Sequence, residues 1–415
     1  MVFQYFNRLL FLQKTSPRLG LLQQEQRFTP TFRFFDHEKT IKSNLTSLFN
    51  LPRWSLVPLA FAVSNIACCD SKLSDELEED FQIFTGEGKP IELKQMIKNI
   101  ISEDKKIVFI GEVHDDPIAH SLELTILKEL HKHLDNKDQR IKSKDGMIPM
   151  KFALSLEMFE SDVQQVVDEY LQGVIRLQDF LADSRPWNNY LKDYHPLVTY
   201  AKQHGFDVIA ANAPRRYVGL VGTKGRGALK GLSQDYLSTV LPPLPYPEVS
   251  ERYKTKFFNT MAPGLLDKPR QEENEKNFKE ERLQQAEDGG GCPHIGFKQS
   301  QIAKALNGMA LWDSSMAHFI SNKLKEDHLK GQSSFIVHIC GKFHCEEKLG
   351  IPEMLAKHFF LSSSSPHNSG HIVVIVISPE ESYKTFDKSL HQHVGDYVIL
   401  TDAKKPRSFE IQHPI

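Results

Sequence analysis

Five cysteines in 415 residues, at Cys68, Cys69, Cys292, Cys340 and Cys345, do not make a disulfide framework, and no CxxC pair meets a second one to close a zinc site. Such sparse use fits a reducing compartment. Charge of one sign is also lacking. A formal net charge of -2 and a pI of about 6.8 exclude the broad basic surface that nucleic acid requires, so nucleic acid is set aside as a partner. The nearly uncharged stretch 55–69 (SLVPLAFAVSNIACC) falls short of the roughly 20 apolar residues of a membrane-spanning helix. It reads as a second sorting signal, a short anchor or part of a presequence, and leaves membrane association open. What is present is the composition of an ordinary globular protein, 40% hydrophobic and 25% charged, with enough apolar residues for a sizeable core.

The first 24 residues carry Arg8, Lys14 and Arg18 with no acidic residue, the composition of an organelle-targeting presequence. Serine is too sparse there for a usual plastid transit peptide, so a mitochondrial address is expected, with the plastid as the alternative. Residues 1–75 are read as presequence and linker, and 76–415 as the folded part.

From there apolar runs alternate with helical patterns, as in a parallel sheet with crossover helices. Strands are expected at 106–111, 152–157, 206–211, 335–340 and 372–377, with a weak edge strand at 397–400. Their unbroken apolar character implies burial on both faces. Apolar residues at helical spacing over 118–133 predict a packed helix after the first strand. The long gap between the third and fourth strands, 213–334, exceeds any single crossover and predicts a helical insertion over the carboxyl edge of the sheet, including a charged loop at 263–300. The polar run 361–370 reads as another loop. The expected class is α/β, a mostly parallel central sheet with flanking helices and a helical insertion subdomain.

Chemistry concentrates at strand ends. Two copies of Gly-x-x-His, Gly111 to His114 and Gly341 to His344, each follow an apolar strand, and Glu157 ends a third. In an open α/β sheet the carboxyl ends of the strands form the ligand crevice, so distant motifs can face one pocket. Glu112 and His114 are two apart and share a face if the strand continues. Asp115 and Asp116 suit either a helix N-terminus or a ligand set, and His120 completes the run GEVHDDPIAH. A buried Glu157 needs a partner, and His114 is the economical choice. Asn212 ends the third strand, and Arg215 and Arg216 beside it can grip a carboxylate or remain a solvated pair. Trp187, Tyr190, Tyr194 and His195 form an aromatic segment suited to stacking on a flat ligand or to packing. His338, inside a strand, reads as a core residue. Cys345 reads as core with a ligand role as the alternative, and Gln301, Asp313 and His318 are the notable polar residues of the helix 301–318.

Taken together, GEVHDDPIAH, LSLEMFE with Gln164 and Gln165, WNNY and YHPLV, AANAPRR, LWDSSMAH and GKFHCEEKLGIPEML resemble, in order and spacing, the ChaN-like haem-binding uptake proteins of the Tiki superfamily. The resemblance covers roughly residues 105–400. Phe343 stands where the family's second motif usually has a small polar residue, and Ala119-His120 where the first has a histidine pair. The ChaN branch implies haem binding with tyrosine-type ligation and a homodimer that brackets stacked haems. The cofactor-facing residues would then be Tyr190, Tyr194, His195, Asn212 and Arg215. The Tiki, TraB and erythromycin esterase-like branches imply instead a metal-dependent hydrolase of peptidase or esterase type. Glu112, His114, Glu157 and His344 would hold a divalent ion and activate water.

Overall fold

Residues 79–103, 105–135, 141–143, 146–148, 150–261, 294–359 and 371–409 are described by a computed structural model. The presequence 1–75, most of the charged loop 263–300 and the polar run 361–370 lie outside the described residues. The apolar runs form a seven-stranded sheet of β1 (Phe81–Thr85), β2 (Ile107–Glu112), β3 (Met150–Glu160), β4 (Asp207–Asn212), β5 (Ser333–Gly341), β6 (Ile372–Glu380) and β7 (Tyr397–Asp402). The strand order is β1-β7-β6-β2-β5-β3-β4, parallel throughout except for the β1–β7 pair. β2 is buried at every position and β5 at all but its first, as unbroken apolar strands require when both faces are covered.

One face carries Val108, Ile110, Leu154, Leu156, Val337 and Ile339, covered by α1 (Leu93–Ser102), α2 (Pro117–Asp135) and the helices between β3 and β4. Those are α3 (Gln164–Leu171), α4 (Leu177–Asp183), α5 (Tyr190–Asp193) and α6 (His195–His204). The opposite face carries Ile107, Phe109, Ala153, Ile209, Ile336 and Val374. It is covered by α7 (Arg215–Lys224), α8 (Gln234–Val240), α9 (Glu251–Met261) and α10 (His294–Leu329).

Three expectations need correction. Tyr397–Asp402 is an inner strand, because β1 pairs with it antiparallel and takes the edge. β3 runs three residues past Glu157, through a register irregularity between Leu156 and Glu160. The described helices of 213–334 form the layer over one sheet face, where Tyr253, Phe257, Met309, Trp312 and Met316 bury against the strands. Apolar stripes on these helices leave no stable position away from the sheet.

Candidate functional site

β2 and β5 are neighbours in register, with Gly111 opposite Cys340 and Glu112 opposite Gly341, so both Gly-x-x-His motifs leave the same sheet edge side by side. Each glycine makes room for the other motif. A Cβ on Gly111 would lie 2.5 Å from Cys345 Sγ and 2.8 Å from Lys342 Cα; one on Gly341 would lie 3.0 Å from both Cε1 and Nε2 of His114. The glycines are therefore required by close approach, not by an unusual φ.

Each histidine is held by a buried carboxylate. His114 Nδ1 donates to Glu112 Oε1, which also accepts the Tyr194 hydroxyl at 3.1 Å. His344 Nδ1 donates to Asp313 Oδ1 at 2.6 Å. A carboxylate only accepts, so Nδ1 carries the proton in both rings and Nε2 is left for the site. His344 Nε2 lies 3.7 Å from Glu157 Oε1, while Glu157 Oε2 accepts the Gly341 N–H at 2.7 Å. His114 Nε2, Glu157 and His344 Nε2 are thus gathered around the Gly341 backbone. Burial lowers the basicity of both histidines, but the carboxylates outweigh it: Glu112 and Glu157 raise the pKa of His114, and Glu157 and Asp313 raise that of His344. The His114 side chain keeps 13% exposure, whereas that of Glu112 has none.

The surroundings are built by long-range contacts. Asn212 donates from Nδ2 to the Glu157 carbonyl at 3.0 Å and so fixes the strand irregularity that aims Glu157 inward. Arg215 pairs with Glu160, and Arg216 with Asp162 and, at 2.9 Å, the Tyr236 hydroxyl. The exposed arginines are therefore paired with carboxylates at and just after the end of β3. Lys256 of α9 donates to the Phe343 carbonyl at 2.7 Å and anchors the second motif. Asp116 caps α2: Oδ1 accepts the Ile118 N–H at 3.0 Å, and Oδ2 the Thr401 hydroxyl at 2.5 Å. That decides capping over ligation for this residue.

The aromatic segment lies over the first motif. Trp187 meets His114 edge to face at 4.8 Å, and Tyr194 meets His120 at 4.9 Å. Tyr190 and Tyr194 are buried at 1% and 0% exposure. The Tyr190 hydroxyl is 3.1 Å from His195 Nδ1, and His195 Nε2 is 3.2 Å from the Thr199 hydroxyl. Burial holds both phenols well above their ordinary pKa, and for Tyr194 the Glu112 charge adds to it. All three pack and hydrogen-bond within the protein.

Beneath His114 lies a second polar layer. His120 Nδ1 is 3.3 Å from Glu123 Oε2, and its Nε2 is 3.2 Å from the His114 carbonyl and 3.6 Å from Asp193 Oδ2. Burial pulls the His120 pKa down, yet Glu123, Glu112 and Asp193 together raise it to about 10; burial pushes the Glu123 carboxyl up. Among the described residues, Glu112, His120 and Glu123 alone bring three ligand atoms within 4.8 Å of one another. Of the expected set Glu112, His114, Glu157 and His344, Glu157 lies beside His344, while Glu112 turns one carboxylate oxygen to the Nδ1 side of His114. Glu123 and Asp193 were not singled out in the sequence. The one available signal was Glu123 three residues after His120, an acid flanked by Leu122 and Leu124 in a packed helix. His338 is a core residue as expected, with Nδ1 2.8 Å from the Ser155 hydroxyl, and Cys340 and Cys345 are buried free thiols.

A family model described as haem-binding uptake, Tiki superfamily, ChaN matches residues 101–355. Protein RETICULATA-RELATED 5, chloroplastic, from Arabidopsis thaliana is 24% identical over 168 residues, which are 38% of this chain and 20% of that protein. The chain thus spans about a fifth of that relative. ChaN of Campylobacter jejuni, whose structure is described as showing cofacial heme binding, is 18% identical with a TM-score of 0.49, covering 78% of this chain and 97% of the other. An erythromycin esterase, EreC, in its open conformation is 11% identical with a TM-score of 0.32, covering 69% of this chain and 72% of the other.

Proposed function

The chain belongs to the ChaN-type haem-binding uptake family of the Tiki superfamily, and from that premise we propose that it is a haem-handling protein. The observation that carries this is the family match across residues 101–355, which takes in both Gly-x-x-His motifs, Glu157, the aromatic segment and Asp313. Bound haem would supply a redox-active iron and a flat apolar face. Tyr190, Tyr194 and His195 do not fit as its axial ligands: both phenols are enclosed, and both nitrogens of His195 are engaged with hydroxyls. Asn212 and Arg215 are likewise committed within the protein. Haem contact therefore falls to groups outside this cluster, and no ligation is assigned. Titrating the full chain with haem tests the reading. A stoichiometric Soret band is expected, unchanged in Tyr190→Phe and Tyr194→Phe; no band at any ratio would end the haem assignment.

A second reading has its own observation. Two histidines, each held at Nδ1 by a buried carboxylate, present Nε2 beside Glu157. This arrangement suits activation of water for hydrolysis of an ester or amide. His114 Nε2 would take a proton from a water molecule as it attacks the carbonyl carbon, Glu112 would steady the resulting imidazolium, and that imidazolium would return the proton to the leaving group as it departs, with His344 Nε2 and Glu157 positioning the water. Ester and peptide screens test it; turnover should fall by about 10²–10⁴-fold in His114→Ala and His344→Ala.

For location we propose an organelle address carried by the segment before residue 76. The chloroplastic relative supports the plastid over the mitochondrion that the serine-poor composition suggested. Residues 1–75 fused to a fluorescent protein should enter plastids, and a purely cytosolic signal would refute import.

A further inference from the structure

We propose that Glu112, His120 and Glu123 form a buried site for a divalent first-row metal ion, one layer beneath the paired Gly-x-x-His motifs. The ligand atoms of these residues all lie within 4.8 Å of one another. All three residues are buried, at 1%, 7% and 0% exposure. Two carboxylate oxygens, Glu112 Oε2 and Glu123 Oε1, are enclosed with no hydrogen-bond partner, each on a side chain whose other oxygen faces a histidine. An unpaired buried carboxylate oxygen is costly, and a cation held by these carboxylates offsets that cost.

The third ligand is oriented for the task. His120 Nε2 faces the His114 carbonyl and Asp193, which fixes the ring and leaves Nδ1 toward Glu123. A carboxylate or carbonyl behind a ligating imidazole is the usual outer support of a metal-bound histidine. Asn189 donates to Asp193 Oδ2 at 2.8 Å and to the His114 carbonyl at 3.3 Å, so the support is itself tied down. One imidazole and two carboxylates, without a thiolate, suit zinc or manganese and not a soft monovalent ion. Glu112 links the layers, because its other oxygen holds His114 Nδ1. An ion here would therefore set the orientation of His114 without touching whatever His114 meets. The inference goes beyond the haem reading and does not depend on it.

The test is elemental analysis of the haem-free full chain after exchange into zinc or manganese and gel filtration, with thermal unfolding alongside. Wild type and Glu157→Gln should retain stoichiometric metal, and Glu123→Gln should retain less by about tenfold or more. Chelation should lower the Tm of wild type but not of Glu123→Gln. If Glu123→Gln does not fold, as judged by circular dichroism, His120→Gln carries the same expectation. The proposal is overturned if wild type retains neither metal, if Glu123→Gln (or His120→Gln in its place) retains it equally, or if Glu157→Gln loses it, since the ion would then belong to the outer centre. None of these results bears on the Soret titration, so the two assignments fail separately.

Discussion

Gly341 and Gly111 explain why the two Gly-x-x-His motifs work as a pair. The glycine of each leaves the space that the other motif fills, so a methyl group at Gly111 presses on Cys345 and Lys342 and one at Gly341 presses on His114. Gly341→Ala should push the His114 ring by a few tenths of an ångström and destabilise the fold by about 1–3 kcal/mol. The check is a denaturant titration, with histidine NMR to follow His114; an unshifted ring resonance would contradict the packing. At this scale the sequence was legible where chemistry and position coincide. His114 and His344 follow strand ends, Glu157 lies three residues short of one, and His344 Nε2 is 3.7 Å from Glu157 Oε1. Asp313 was visible as a polar residue of a helix, but not as the acceptor for His344, because no local pattern relates residues 31 positions apart. Tyr190 and Tyr194 read as suited to stacking or to packing, because the sequence carries no sign of which way a helix turns its phenols; in the structure both are buried.

Elements show a different division. Helix α2 begins where a Pro follows an Asp, and Asp116 does cap it, while Thr401 of β7 secures the same carboxylate. Asp116→Ala should cost about 1–2 kcal/mol, measured as a shift in denaturation midpoint with unchanged slope. An unchanged midpoint would mean that the cap contributes nothing. β1 escaped the sequence reading because five residues with Gln82 second and Thr85 last make no apolar run, yet Ile83 and Phe84 are buried at 2% and 4% exposure. Deleting the chain through residue 89 should remove about 1.5–3 kcal/mol for each of these side chains. It would also bare the β7 edge to unwanted pairing, visible as concentration-dependent aggregation. A soluble deletion with the wild-type Tm would show that β1 is dispensable.

For the whole molecule, the sheet carries an apolar core on each face and a polar centre at its carboxyl edge, and a histidine in the core adds its own sensitivity to acid. His338 sits in the core, where burial, aided by the positive side of His344, holds its pKa down at about 3. Its ordinary value is 6.5. Between these values the unfolded chain binds a proton that the folded chain refuses, so the contribution of His338 is complete only above pH 6.5 and declines as pH falls toward 3. From pH 6.5 to pH 5 this one group should remove about 2 kcal/mol, and His338→Leu should flatten that slope in urea titrations at the two pH values. An equal slope in the variant would place the acid sensitivity elsewhere. Among the described residues no helix is long and apolar enough to cross a membrane.

The sequence by itself determined the class of fold. Unbroken apolar strands separated by amphipathic helices bury completely only in a parallel sheet covered on both sides, and strand ends in such a sheet gather at one edge. What only the tertiary structure decided is which polar groups meet there. Glu112 turns to His114 and toward Glu123, Glu157 reaches Gly341 after a register irregularity, and Asn212, Arg215 and Tyr194 are consumed by supporting contacts. Burial periodicity is local and survives in one dimension. The pairing of buried charges is set by desolvation, which forces each one to take the nearest partner that folding supplies, however far away in the chain that partner lies.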